Sequence, residues 1–260
     1  LWRHKQTRHS TQGVTFMYTL KTNNNLISKS IISLSLLLAS SSALAATEYP
    51  ENPVLRPLTL TDGTIAIGGA LGWGEESDDS RVALGLDAAY GLTDDLTLGL
   101  GGLTYRFLAR PSNGTGLELA IGLGVRGFQE STVNGDAVGY GADLNGKYVF
   151  NKDIAMIFDL GYIKWDEEKL GNKDEYRYGV GLQANVAKAW TASVNYTYRD
   201  LKYFQQDDAH EVNVGLNYAY SKQTDIGMFA GYSSFDALEN GYKLDNSFDR
   251  VAGVYATYRF

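Results

Sequence analysis

Asp208 and His210 form the pair in this chain best placed for acid–base chemistry. They stand as Asp-x-His at the end of the acidic run Gln205-Gln206-Asp207-Asp208-Ala209, and a carboxylate that orients an imidazole is the arrangement a general base needs. Asp78 and Asp79 are the acids available to complete a hydrolytic set. The plainer reading is a short acidic loop that contains a histidine, and it is the one preferred. The chain has no cysteine, so thiolate chemistry and disulfides are excluded. Past residue 46 it has one histidine, too few imidazole and thiolate groups for a zinc site. No metal or cofactor is expected.

The remaining polar groups are spaced by two. Arg177, Gln183 and Asn185 share one phase of Tyr176–Val186, which also holds Gly179 and Gly181. Asn195 and Arg199 share a phase in Trp190–Arg199, as do Glu211, Asn213 and Asn217 in His210–Ser221. Asp143, Lys147 and Asp159 repeat the pattern earlier in the chain. The opposite phase is apolar, for example Val212, Val214, Leu216, Tyr218 and Tyr220. Alternation of this kind is the period of a strand with one polar and one apolar face.

The connections separate a barrel from a sandwich. Thr93-Asp94-Asp95, Asn151-Lys152-Asp153, Lys188-Ala189 and Gln223-Thr224 are tight. Glu75–Ser80, Asp166–Glu175, Phe204–Ala209 and Leu238–Asn246 are longer and acidic. Short and long connections alternate, as when every second turn faces one side of a membrane. Leu96, Leu98 and Leu100 share one phase and Leu103, Tyr105 and Phe107 the other, so a turn or bulge is expected at Gly101-Gly102. With a turn there the chain folds into twelve strands, an even number; ten is the alternative if segments merge.

Met17–Ala46 reads as a secretory leader. Lys21 and Lys29 precede the apolar run Ile31–Leu38, and Ala43-Leu44-Ala45 is a small-x-small cleavage box. Cleavage is expected after Ala45 or Ala46; N-terminal sequencing of membrane-fraction protein checks this. Residues 1–16 precede the first Met and are expected not to belong to the native protein. Five of the 23 basic residues and none of the 30 acidic ones lie before Thr47, leaving 18 against 30, a net charge of about −12. Such a surface argues against nucleic acid, which is bound by neutralising phosphates. Residues 47–61 hold Pro50, Pro53 and Pro57 and are expected to be a periplasmic tail or inward-folded segment, because proline cannot donate to a ladder. Residues 62–260 are the expected barrel. Trp73, Trp165 and Tyr198 fall at the external strand ends and Tyr90, Trp190, Tyr220, Tyr258 and Phe260 at the periplasmic ends, as aromatic girdles do.

The pattern as a whole resembles the Gram-negative outer-membrane β-barrels of the small porin-like type. Its most specific part is Val251–Phe260, with aromatics at the last and third-last positions; Tyr258 and Phe260 match the insertion signal read by the outer-membrane assembly machinery, although the interior glycine is displaced to Gly253. The resemblance implies an all-β, transmembrane, antiparallel up-and-down barrel. It also implies outer-membrane lipid, lipopolysaccharide and the assembly machinery as partners. The Asp208-x-His210 pair is similar to that of omptin-type surface proteases, the third and weakest reading. An outer-membrane phospholipase needs His-x-Ser, and Val212 stands where the serine belongs.

In such a barrel the polar phase faces the lumen. Early strands then line it with Ala66, Gly68, Ala70, Gly72, Ala83, Gly85, Gly99, Ala120, Gly122 and Gly124. Later ones line it with Asp143, Asn145, Lys147, Asp159, Arg177, Gln183, Asn185, Asn195, Arg199, Glu211, Asn213 and Asn217. A small-residue wall opposite an amide and charge wall leaves room for water, and a passive channel for small hydrophilic solutes is expected. The alternative is a non-conducting structural or surface-interaction barrel. Arg177, Arg199 and Glu211 are expected near the external end as a locally basic ring. The competing expectation is that Arg199 and Glu211 neutralise each other.

Overall fold

The structure, a computed structural model, describes residues 49–76, 79–111, 114–129, 137–167, 171–235, 238–239, 242–243 and 249–260, with the backbone of 3–4 and 16–19. The leader's apolar run, its cleavage box and Asp78 lie outside the described residues.

Twelve antiparallel strands follow one another in sequence. They are β1 (Ile65–Glu76), β2 (Asp79–Thr93), β3 (Leu96–Gly99), β4 (Gly102–Leu108), β5 (Gly116–Gln129), β6 (Ala137–Asn151), β7 (Ile154–Glu167), β8 (Lys173–Ala187), β9 (Trp190–Lys202), β10 (Asp208–Ala219), β11 (Thr224–Ser233) and β12 (Arg250–Arg259). Each pairs with its sequence neighbours, and β12 pairs with β1 from Arg250↔Glu75 to Arg259↔Ala66, which closes the barrel. Closure removes the free sheet edges that hydrocarbon does not tolerate.

The periplasmic turns close through their own side chains. Asn151 Oδ1 accepts from the N–H groups of Asp153 and Ile154 at 2.8 and 3.0 Å, and Ser221 Oγ accepts from those of Gln223 and Thr224 at 3.2 and 3.0 Å. These short polar side chains mimic a backbone acceptor, which is why such residues mark turns. At the external end the strands run further than the sequence pattern indicates. Only residues 77–78 separate β1 from β2, and β8 begins at Lys173, so Glu175 is a strand residue and not a loop residue.

The expected break between β3 and β4 is a turn at Leu100-Gly101. It stands low in the wall: β3 pairs with β2 only from Thr93↔Leu96 to Ala89↔Gly99. The turn packs straight against β5. A Cβ on Gly102 would stand 2.0 Å from the Leu123 carbonyl oxygen, and one on Gly124 1.9 Å from that of Gly101. Both glycines also have positive φ, +140° and +152°, which side chains rarely adopt. Gly124→Ala is expected to separate β4 from β5 and lower the heat resistance of the folded band on unboiled gels. An unchanged band would mean that the turn yields without cost.

The apolar face points outward throughout. Leu71, Leu98, Leu123, Tyr140, Leu160, Val180, Leu182, Val194, Val214 and Met228 are all exposed. Trp73, Tyr90, Trp190 and Tyr220 are exposed at the strand ends expected of girdles. Trp165 is a correction. It is 1% exposed and faces the lumen, in phase with Ile163 and Asp159.

Candidate functional site: the barrel lumen

The register places every expected lumen residue on one face. Asp143 pairs with Gly161 and Lys147 with Ile157; Asp159 pairs with Gly179, and Arg177 with both Gly161 and Arg199. Gln183 pairs with Ser193, Asn185 with Thr191, Asn195 with Asn213, and Asn217 with Gly227. The early strands add Gly68 beside Asp87, Gly72 beside Ala83 and Gly122 beside Asp143. Small residues thus predominate on the early strands, which also turn Asp87, Thr97, Glu118 and Arg126 inward, and polar ones on the later strands.

The periplasmic mouth is filled by Tyr49–Asp62. Asn52 caps a single 3-10 turn, Pro53–Leu55, and Val54 packs on Val149 and Ala155 of the inner wall. The segment's backbone finds partners around the barrel. The Leu58 N–H donates to Glu118 on β5 at 2.7 Å and the Leu60 N–H to Thr97 on β3 at 2.8 Å. The carbonyls of Pro53 and Arg56 accept from Lys147 on β6 at 3.1 and 3.0 Å. Asn185 on β8 donates to Asn52 at 3.0 Å. Arg56 donates two bonds to Asp225 on β11, at 2.5 and 2.9 Å, and Asp225 also accepts from Arg259 on β12 at 2.6 Å. The Tyr49 ring covers both guanidiniums, 5.6 Å from that of Arg56 and 4.9 Å from that of Arg259. A bidentate arginine–carboxylate pair is among the stronger polar contacts, since both bonds are charge-assisted.

A second constriction stands at the external end. Glu175 is fully buried and accepts from Arg177, from Arg199 at 2.8 Å and from the Trp165 indole N–H at 3.0 Å. Arg199 also donates to Glu211 at 2.8 Å. Above this cluster Phe235, buried, lies 4.1 Å from the Arg199 guanidinium and packs with Trp165, Ile163, Ala137, Leu201 and Ala209. The expected basic ring is therefore corrected. Two carboxylates match the two guanidiniums, and the missed one, Glu175, sits between them. Lys173 lies over the Phe204 ring, 5.8 Å from its centre.

Sequence reasoning missed Trp165, Glu175 and Phe235, and also Arg126. Arg126 continues the inward phase of Gly122 and Gly124 and donates to Asp143 at 2.5 Å, and a bulge between Val125 and Gly127 then turns Gly127 inward as well, against the Trp165 ring. A signal for Trp165 existed in the glycines opposite it: a Cβ on Gly127 would stand 2.1 Å from its ring and one on Gly139 3.1 Å. Asp208 and His210 point elsewhere. His210 Nδ1 lies 2.7 Å from the Tyr196 hydroxyl and Nε2 3.2 Å from Asp208, on the outward phase of β10, while its neighbours Ala209 and Glu211 face in. The side chains of Asp78 and Asp79 are outside the described set.

A closed barrel with an apolar belt, aromatic rims and a polar interior defines an integral outer-membrane protein. A family model, the outer membrane protein beta-barrel domain, matches residues 31–220, and the chain belongs to that family. No curated protein matches its sequence. Among solved structures it is similar to the KdgM porin at 13% identity, covering 75% of this chain and 99% of that one with a TM-score of 0.46. It is also similar to OmpT, an outer membrane protein of Vibrio cholerae (14%, 76% and 96%, 0.44), and to the anion-selective porin from Comamonas acidovorans (12%, 76% and 98%, 0.43).

Proposed function

We propose that the protein is a porin-like channel for the passive diffusion of small hydrophilic solutes, with no catalytic role. The observation that supports this is the divided lumen: a glycine and alanine wall facing amides and charges, within a twelve-stranded barrel wider than the eight-stranded ones that side chains fill. In the present conformation the segment Tyr49–Asp62 occupies the periplasmic mouth, so conduction requires that segment to move. Single-channel conductance of the processed protein in planar bilayers is the test. Discrete steps are expected, and a silent bilayer containing correctly folded protein overturns the reading.

A second reading, a non-conducting barrel, draws on the same segment. It is bonded to five strands by hydrogen bonds, and Phe235 fills the other end. Asp208–His210 is read as a rim pair held against Tyr196, not as a protease dyad.

Outer-membrane lipid, lipopolysaccharide and the assembly machinery are the proposed partners. Tyr258 and Phe260 stack edge to face at 4.6 Å, and the Phe260 N–H donates to the Ile65 carbonyl at 2.8 Å. Deleting Phe260 is expected to lower the inserted amount while leaving the conductance of each inserted molecule unchanged. Normal insertion would remove its role as a signal.

A further inference from the structure

Between its two constrictions the lumen holds a chamber. On β7 the inward residues Ile157 and Ile163 are buried, and Asp159 between them is half-buried. On β9 Thr191 and Thr197 are buried, with Ser193 and Asn195 half-buried between them. On β10 Ala209 and Ala219 are buried, and Asn213 and Asn217 between them are half-buried. An inward side chain that stays open while those above and below it on its strand are covered faces an enclosed space. From Asn213 to Asn217 that space runs about 13 Å along the strand.

The later half of the chamber wall is shaped by glycines. A Cβ on Gly181 would strike the Asn195 amide, one on Gly231 that of Asn213, one on Gly215 the Ser193 hydroxyl and one on Gly227 the Tyr255 ring. Each of these polar groups therefore lies along the wall, over the glycine beside it, and leaves the centre open. Tyr255, half-buried, is also held by its hydroxyl, which donates to Asn217 Oδ1 at 2.9 Å. Two buried amide atoms have no hydrogen-bond partner, the acceptor Oε1 of Gln183 and the donor Nδ2 of Asn217. Such atoms are costly unless something pairs with them, and both belong to half-buried side chains that border the chamber. The charges nearby are mostly spent on one another. Arg126 is bonded to Asp143 and Arg177 to Glu175, while Asp87 and Asp159 stand on β2 and β7, nearly opposite each other round the barrel.

We propose that this chamber is a binding site for a neutral pyranose, the ring of an uncharged sugar. A planar amide offers both an acceptor and donors, and vicinal hydroxyls, each donor and acceptor at once, match it. Asn195 and Asn213 are cross-strand partners and set two such amides side by side. The C–H face of the ring packs on Tyr255, which Gly227 and Asn217 fix in place before any solute arrives; a site ordered in advance loses less on binding. An anionic solute meets the carboxylates of Asp87 and Asp159 while the neighbouring guanidiniums are engaged. A cation finds those two carboxylates on opposite walls, where they do not converge on it. The site deepens the channel reading and rests on it for the route by which the sugar enters.

Saturation-transfer NMR on the processed protein in zwitterionic micelles provides the test, with glucose and glucuronate as the probes. Transfer from the protein to the ring protons of glucose is expected, and several-fold less to those of glucuronate, which differs by a carboxylate. An Asn195→Leu, Asn213→Leu double substitution is expected to weaken glucose binding roughly tenfold, the worth of two neutral hydrogen bonds. No transfer to glucose overturns the site, as does equal transfer to glucuronate or undiminished transfer in the double variant. Should that variant not fold, the cysteine-free chain allows a second measurement. Ser193→Cys, a change of one atom on the chamber wall, is expected to react with a water-soluble methanethiosulfonate and to react more slowly as glucose is added. A thiol that never reacts, or one that glucose does not protect, also overturns the site. Conductance of the same preparation separates the two readings. Discrete steps without glucose binding leave the channel and remove the sugar site; glucose binding in a silent bilayer does the reverse.

Discussion

Removal of residues 47–62 from the processed protein is expected to raise single-channel conductance several-fold while the barrel stays folded. Those residues cross the periplasmic mouth and touch the wall through side chains that all lie on its inner face: Thr97, Glu118, Lys147, Asn185 and Asp225. None of the strand ladders depends on them, so their loss leaves the cylinder closed. Within the segment Arg56 is the strongest point of attachment, and Arg56→Ala is expected to produce a milder version, with frequent brief openings. Asp225→Ala works differently. It leaves Arg56 and Arg259 facing each other under the Tyr49 ring with no carboxylate between them. Breaking a buried ion pair from one side costs about 3–5 kcal/mol, so this variant is expected to lose heat resistance as well as closure. Planar-bilayer recordings and the temperature at which the compact gel band disappears separate the two effects. Unchanged conductance on deleting the segment would place the barrier to flow elsewhere, at Phe235.

Glu175→Gln is expected to have the larger effect on the external end. The carboxylate is fully buried and accepts from two guanidiniums and an indole. An amide of the same shape keeps the packing and removes the charge. Arg199 then keeps its bond to Glu211 while Arg177 loses the carboxylate it is paired with, and about 3–5 kcal/mol of stability is expected to go with the lost pairing. The same change makes the constriction positive. A charged ring in a confined passage sets ion preference, so reversal potentials under a salt gradient are expected to move toward anion preference, from near-neutral selectivity in the native barrel. An Arg177→Glu, Arg199→Glu double substitution should move them the opposite way. If stability falls while selectivity stays fixed in both variants, the cluster is a brace and ions do not pass beside it.

Period-two alternation carried most of the barrel, because a strand between lipid and lumen has no other way to sort its side chains. Parity then resolved the Leu96–Arg110 stretch into two strands. The inner polar face was legible for the same reason. What escaped lay at strand ends and in connections. Arg126 continues the phase of Gly122 and Gly124, so alternation alone reaches it, whereas Glu175 was hidden by an acidic context that reads as loop. Phe235 comes from a connection and enters the barrel over its rim, which no periodicity records. Trp165 was assigned to the lipid girdle on residue type, but its phase with Asp159 and the glycines at 127 and 139 put it inside. The Arg56–Asp225 contact spans 169 residues, and pairing at that distance leaves no local trace.

That span also bears on the order of events during biogenesis. Tyr49 and Arg56 leave the export channel before any strand does, yet their site requires Glu118, Lys147, Asp225 and Arg259, the last on the final strand. The site comes into being when β12 meets β1 and the cylinder seals. Until then a segment that precedes every barrel strand in the chain has no home, and it must stay shielded for as long as the barrel takes to close. Their docking is therefore a readout of completed closure, available to any protease that trims what has not been tucked away.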